Sequence, residues 1–253
     1  MPLDFMLDTY GLLLDAFEGY KVYTVKRYLE EKPTKGFVIL RHDVDRLPWS
    51  ALRMAEVEAN RGISSTYYFR VGHVLNIEAI RGVCHLGHEA GYHYEVLSKM
   101  NGDLEKAMEL FRKELTQLRL TCEVKTISSH GRPLSRFDDD IIGKSSSLES
   151  YGILGDARQS IVGVHYYTDS GRSWDGRNSI KDRTRPSEVN SRVDARNTFD
   201  IIELLRSKIH NGTYLNVHPE RWVANYKELL VSWCMDLAFN TGKKIIHSLQ
   251  EVL

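Results

Sequence analysis

Short apolar runs alternate with helical segments along most of this chain, and that alternation constrains its fold more than any other feature. Residues 36–40 form a brief continuous apolar run (Phe37-Val38-Ile39-Leu40). Pro48 then opens a helix, since proline fits a first turn, and Ala51, Leu52, Met54, Ala55 and Val57 carry it to Gly62. Residues 66–71 read as a second strand, and 77–86 as a helix closed by Gly87. Residues 88–96 hold a third strand, and 124–128 a fourth. Between these last two lies the clearest amphipathic helix, 103–120. It places Leu104, Ala107, Met108, Phe111, Leu115 and Leu118 on one face.

Strand following helix at this pace predicts βα units and a parallel sheet. Further strands are expected at 161–167 and 214–217, then a helix over about 227–239 and a last short strand at 244–247. The expected fold is therefore α/β: a deformed (β/α) barrel of about seven parallel strands in a single domain, with an open doubly wound sheet as the alternative. Residues 1–35 read as an N-terminal helical segment packed on the barrel formed by 36–253. Its apolar stripe is Leu7, Leu12, Leu13, Leu14 and Phe17, with a second helical piece at 25–31. The polar stretch 170–196 reads as a long surface loop, and such loops are often functional.

Composition narrows the class. There are 34 Lys and Arg against 34 Asp and Glu. A zero balance argues against nucleic acid or a membrane surface as partner, because both select excess positive charge. No apolar run is long enough to span a bilayer. The first residues lack the basic start of a secretion signal, so a cytoplasmic location is expected. The 3 cysteines, Cys84, Cys122 and Cys234, are odd in number and form no CxxC. They suggest neither a disulfide framework nor a cysteine metal site, and read as small buried fillers. No glycine-rich strand-to-helix turn suggests a nucleotide cradle.

In parallel β/α architectures, sites gather at the carboxyl ends of strands. The residues found there are Asp43 and Asp45, His93 and Glu95, His130, Asp169 and His218. Residues i and i+2 of a strand share a face, so Asp43 and Asp45 point the same way and repel. A divalent metal would compensate them; Arg41 or Arg46 would be the structural alternative. Two histidines and one carboxylate suit a zinc-like ion with an open position for water, which such an ion acidifies. The remaining aspartate could take the proton as general base, and His218 could protonate a leaving amine. Those parts describe hydrolysis of an amide or ester.

At this point LRHDVD, GISSTYYFR, LGHEAGYHYE, SSHGRP and YLNVHPERW, in that order over about residues 36–222, resemble the polysaccharide deacetylase superfamily. This is the NodB homology domain, or carbohydrate esterase family 4. The narrower likeness is to a WbmS-type branch from bacterial surface-polysaccharide (O-antigen) clusters. The resemblance implies a deformed barrel with one divalent metal that removes acyl groups from amino sugars. Zinc is the first choice of metal, with cobalt, nickel or manganese as alternatives. It implies Asp43 as catalytic base, Asp45 and His93 as metal ligands, and His218 as general acid. Arg132 echoes the family's third motif, and Asp169 and Trp174 its fourth, whose residues line the substrate site. The family's second motif continues to a further histidine where this chain has Leu97. His130 is the expected replacement ligand, with Glu95 and His73 as rivals. Two other readings compete: a glycoside hydrolase pairing Asp169 with Asp43 or Asp45, and a non-catalytic carbohydrate-binding relative.

Overall fold

A computed structural model describes residues 3–72, 75–131, 135–144, 148–174 and 195–252. The elements run α1 (Leu7–Asp15), β1 (Lys21–Tyr23), α2 (Val25–Glu31), β2 (Phe37–Val44), α3 (Pro48–Ala59), β3 (Thr66–Phe69) and α4 (Ile77–His85). There follow β4 (Glu89–Tyr94), α5 (Val96–Lys99), α6 (Leu104–Arg119), β5 (Thr126–Ser129), α7 (Asp140–Gly143) and β6 (Gly155–Asp156). The rest are β7 (His165–Thr168), α8 (Thr198–Ser207), β8 (Gly212–Val217) and α9 (Tyr226–Val252).

Seven parallel strands in the order β6-β5-β4-β3-β2-β8-β7 curl into a half-barrel wrapped by helices. This is the expected deformed (β/α) barrel, left unpaired between β6 and β7 among the described residues. One edge of β2 serves two partners in succession. β1 pairs with Phe37 to Ile39 and β3 with Arg41 to Val44. Lys21–Tyr23, within the stretch read as helical, is therefore a strand.

Side-chain alternation along β2 sets up the site. Val38 and Leu40 pack outward with α1 and α8, whereas Phe37 and Ile39 join Tyr68 and Tyr214 in a cluster inside the curl. Period 2 carries the inward face on to Arg41 and Asp43, so the interior is apolar at its base and charged at its carboxyl end. His42, on the outward face, lies 2.7 Å from the buried Glu58 of α3. Gly91 of β4 lets the Tyr68 ring lie against it: a Cβ there would come within 2.3 Å of the ring.

The outer layer follows from helix periodicity. Asp103 caps α6 by accepting from the Lys106 N–H at 3.1 Å. Phe111 is fully buried, with the rings of Tyr92, Tyr94 and Tyr151 at 5.3, 5.8 and 5.7 Å. Truncating it to alanine should cost about 3–5 kcal/mol.

The carboxyl-terminal region departs from expectation. The strand expected at 244–247 is instead part of α9. A pair of adjacent isoleucines fits either structure, and only length separates a short strand from a long helix. The helix rests on the barrel through polar groups. Asp236 is buried, Ser232 accepts from Arg172 at 2.6 Å, and Asn240 donates to the Gly171 carbonyl at 3.2 Å. Leu230, Val231, Trp233, Leu237 and Phe239 are turned outward. No helix among the described residues is long and apolar enough to cross a membrane.

Candidate metal centre

Three lone-pair-bearing atoms face one another at the carboxyl end of the sheet. Asp45, just beyond β2, presents Oδ1 at 3.4 Å from His93 Nε2 and 3.5 Å from His130 Nε2. All three atoms lie within 4.8 Å of one another. His93 comes from β4, and His130 follows β5 directly, held there by its backbone N–H donating to the Tyr94 carbonyl at 2.7 Å.

The far nitrogen of each imidazole decides what the near one offers. His93 Nδ1 lies 2.9 Å from the Ser128 carbonyl oxygen, which can only accept, so Nδ1 carries the proton. His130 Nδ1 lies 3.1 Å from the Glu95 carboxylate and is protonated by the same logic. In the neutral rings both Nε2 atoms then hold lone pairs aimed at Asp45, whose buried Oδ1 accepts no hydrogen bond from a described residue. Three acceptors with nothing to share need a cation between them. An extra proton on one ring could serve, but burial pushes His130 below its ordinary value, against the opposing pull of Asp45 and Glu95. Asp45 itself stays ionised. Burial alone would raise its carboxyl, and His130, His93 and His218 overcome that and hold it well below the usual range. Two imidazoles and a carboxylate, oriented from behind and open on the fourth side, fit a zinc-like divalent ion.

Glu95, a rival ligand in the sequence, stands behind His130 instead. Its other oxygen accepts from Arg70 at 2.7 Å, and Arg70 also donates to the Asp45 carbonyl at 3.0 Å. His130, Arg70 and Lys99 hold the Glu95 carboxyl ionised well below its ordinary value although burial opposes them. Leu97, where the resembled motif has histidine, is buried on α5 in the outer core beside Val96 and Phe111. His73 and Arg132 lie outside the described residues.

Asp43 lies beneath this group, nearly inaccessible. Its Oδ2 accepts from Arg41 at 3.1 Å and from Asn216 of β8 at 2.9 Å. Its Oδ1 is buried and has no partner among the described residues. Arg41 is fully buried and also donates to the Tyr214 hydroxyl at 3.0 Å. The structural alternative is thus half realised: Arg41 does pair with Asp43, but through one oxygen only. Arg46 turns away to Glu220 and Asp236.

His218 follows β8, and its Nδ1 lies 2.6 Å from Asp169 Oδ1. Burial and the neighbouring Arg221 push its imidazole down, but Asp169 and Asp45 outweigh them and raise it to about 9. It is therefore an imidazolium at neutral pH. Asp169 was expected on the wall of a substrate site. It is instead fully buried behind His218, accepting also from the His218 N–H, from Arg221 at 3.1 Å and from Trp222 at 2.9 Å. Trp174, expected beside it, is packed in the outward cluster with Ile201 and Leu205 and donates its indole N–H to Thr198 at 3.0 Å. The sequence reading missed Asn216 and Arg70. Asn216 could have been found from period 2, because it shares His218's face two residues earlier.

No protein-family model matches the chain, and no curated protein matches it. Among solved structures, it is similar to a family 4 carbohydrate esterase from Streptococcus mutans (17% identity, 93% of this chain and 90% of that one, TM-score 0.47). It is also similar to a family 4 pseudoenzyme from Bacillus anthracis (14%, 83% and 62%, TM-score 0.44). A family 4 carbohydrate esterase from the same organism matches at 14% identity over 95% and 86%, with a TM-score of 0.42.

Proposed function

We propose that this protein is a metal-dependent deacylase that hydrolyses the amide of an N-acylated amino sugar. The observation that carries the reading is the convergence of Asp45 Oδ1, His93 Nε2 and His130 Nε2 within 4.8 Å of one another. A divalent ion held by these three would supply Lewis acidity to an acyl oxygen and lower the pKa of water beside it.

The chain's own groups do the proton work. Asp43 has one oxygen fixed by Arg41 and Asn216 and the other uncommitted. That second oxygen is assigned as the general base, which takes a proton from the attacking water. His218, kept charged by the Asp169 behind it, is the general acid for the departing nitrogen. Base and acid stand on neighbouring strands, with His42 of β2 in register with Val217 of β8. The charge that Asp169 holds on His218 keeps a proton available for the acid step near neutral pH.

The two-carboxylate glycosidase reading loses its second carboxylate. Asp169 is saturated by donors and buried, so it is not available to flank a glycosidic bond. The sugar as substrate and the surface-polysaccharide setting rest on the motif resemblance.

The deciding assay is acyl release from a panel of N-acetyl and N-formyl amino sugars by protein loaded with zinc, cobalt, nickel or manganese. Release that a chelator abolishes, and that Asp43→Asn lowers by about 10²–10⁴-fold, is the expected result. Failure to bind any of these metals, or release undiminished by chelation, would overturn the mechanism.

A further inference from the structure

Two of the three cysteines, 38 residues apart in the chain (122 − 84), meet in space. Cys84, at the end of α4, and Cys122, just after α6, interact thiol to thiol. Both are partly exposed, and both line a cavity of about 600 Å³ at the amino ends of β4 and β5, on the side of the sheet away from Asp45. The third, Cys234, is exposed on α9.

We infer that Cys84 and Cys122 are a reversible dithiol–disulfide couple, oxidised by a low-molecular-weight disulfide that enters through this cavity. Facing thiols with a solvent path are what exchange chemistry requires. The cavity wall carries both signs, Lys26, Arg81 and Lys125 beside Glu89 and Glu123, so a zwitterionic disulfide such as oxidised glutathione is a suitable probe. Both thiols border the cavity and are partly exposed, so either can attack first while the other closes the bond.

The exchange balances in two steps. With Cys84 first, its Sγ attacks one sulfur of the small disulfide, forming a mixed disulfide and expelling one small thiolate. Cys122 Sγ then attacks Cys84 Sγ and expels the second. The protein loses two electrons and two protons, and the small disulfide becomes two thiols. The bond closes a loop through β4 and α6. It staples the amino ends of β4 and β5, the strands that lead to His93 and His130.

The test uses the full chain carrying Cys234→Ser, reduced, freed of reductant and incubated with oxidised glutathione. The expected result is loss of both remaining thiols, a mass lower by 2 Da, and a proteolytic fragment joining residues 84 and 122. Dithiothreitol should reverse all three. Cys122→Ser should trap Cys84 as a single glutathione adduct, which separates attack from closure. Two separate glutathione adducts, or two thiols still titratable in the folded protein, would overturn the inference. None of these outcomes depends on the deacylase reading.

Discussion

His218 and Asp169 make the sharpest prediction at the scale of single residues. The His218 imidazole is raised to about 9 by Asp169 and Asp45 against the opposing effect of burial. In metal-free protein, its ring signals should be those of an imidazolium at pH 7.5. Asp169→Asn should bring the titration down, and so should metal loading, because a dication offsets Asp45. A titration that stays put in both cases would refute the assignment. The sign for stability follows from linkage. A raised histidine stabilises fully below its unfolded value of about 6.5. That contribution fades as pH climbs through 9. The denaturant midpoint should therefore fall between pH 6.5 and 9.5, and less so in Asp169→Asn.

Glu95 gives a second residue-scale prediction. It fixes the His130 ring from behind, and removing such a support typically weakens metal binding about 10–100-fold. Glu95→Ala should do so by competition titration while leaving the fold intact. Leu97→His should not rescue His130→Ala, because position 97 lies in the outer core. Rescue would mean that α5 can turn its face toward Asp45.

Among the elements, α9 docks through its described side chains largely by charge, with Leu229 adding an apolar contact. Asp236 takes Arg46 at 3.0 Å, Arg172 at 2.9 Å and Arg221 at 3.8 Å, from the loops after β2, β7 and β8. Removing one partner from a buried ion network costs about 3–5 kcal/mol, since the others keep their charge without compensation. Asp236→Ala should lower the melting temperature and expose α9 to proteolysis near residue 226. A variant that melts and digests like the parent would show that α9 is held by something else. Sequence periodicity gave little warning of this, because residues 227–239 carry apolar groups on several sides and the docking face is the polar one. The inward turn of Asp43 and Asp45 was legible, since strand alternation is fixed by the backbone. Which way Asp169 and Trp174 turn was not. They lie beyond the end of β7, where alternation stops, and their packing depends on α8 and on the turn after β8.

For the whole molecule, the parallel half-barrel was readable because each βα unit announces itself locally. Its closure was not, because the two-residue β6 is too short to leave a pattern. The site joins β2, β4, β5 and β8, so an ion bound there ties distant parts of the chain to the folded state. By mass action, metal at 100 times its dissociation constant should add about 2.7 kcal/mol, or roughly 5–10 °C in melting temperature for a chain of this size. Calorimetry with and without chelator checks this, and His93→Ala should remove the difference.

Asp236 lies later in the chain than every guanidinium it neutralises. During synthesis, Arg46, Arg172 and Arg221 all leave the ribosome before Asp236 exists. Arg221 also bonds Asp169, the carboxylate behind His218, so α9 reaches the support of that imidazole through one shared guanidinium. A nascent chain halted before residue 236 would carry Asp169 and Arg221 without the second carboxylate that shares that guanidinium.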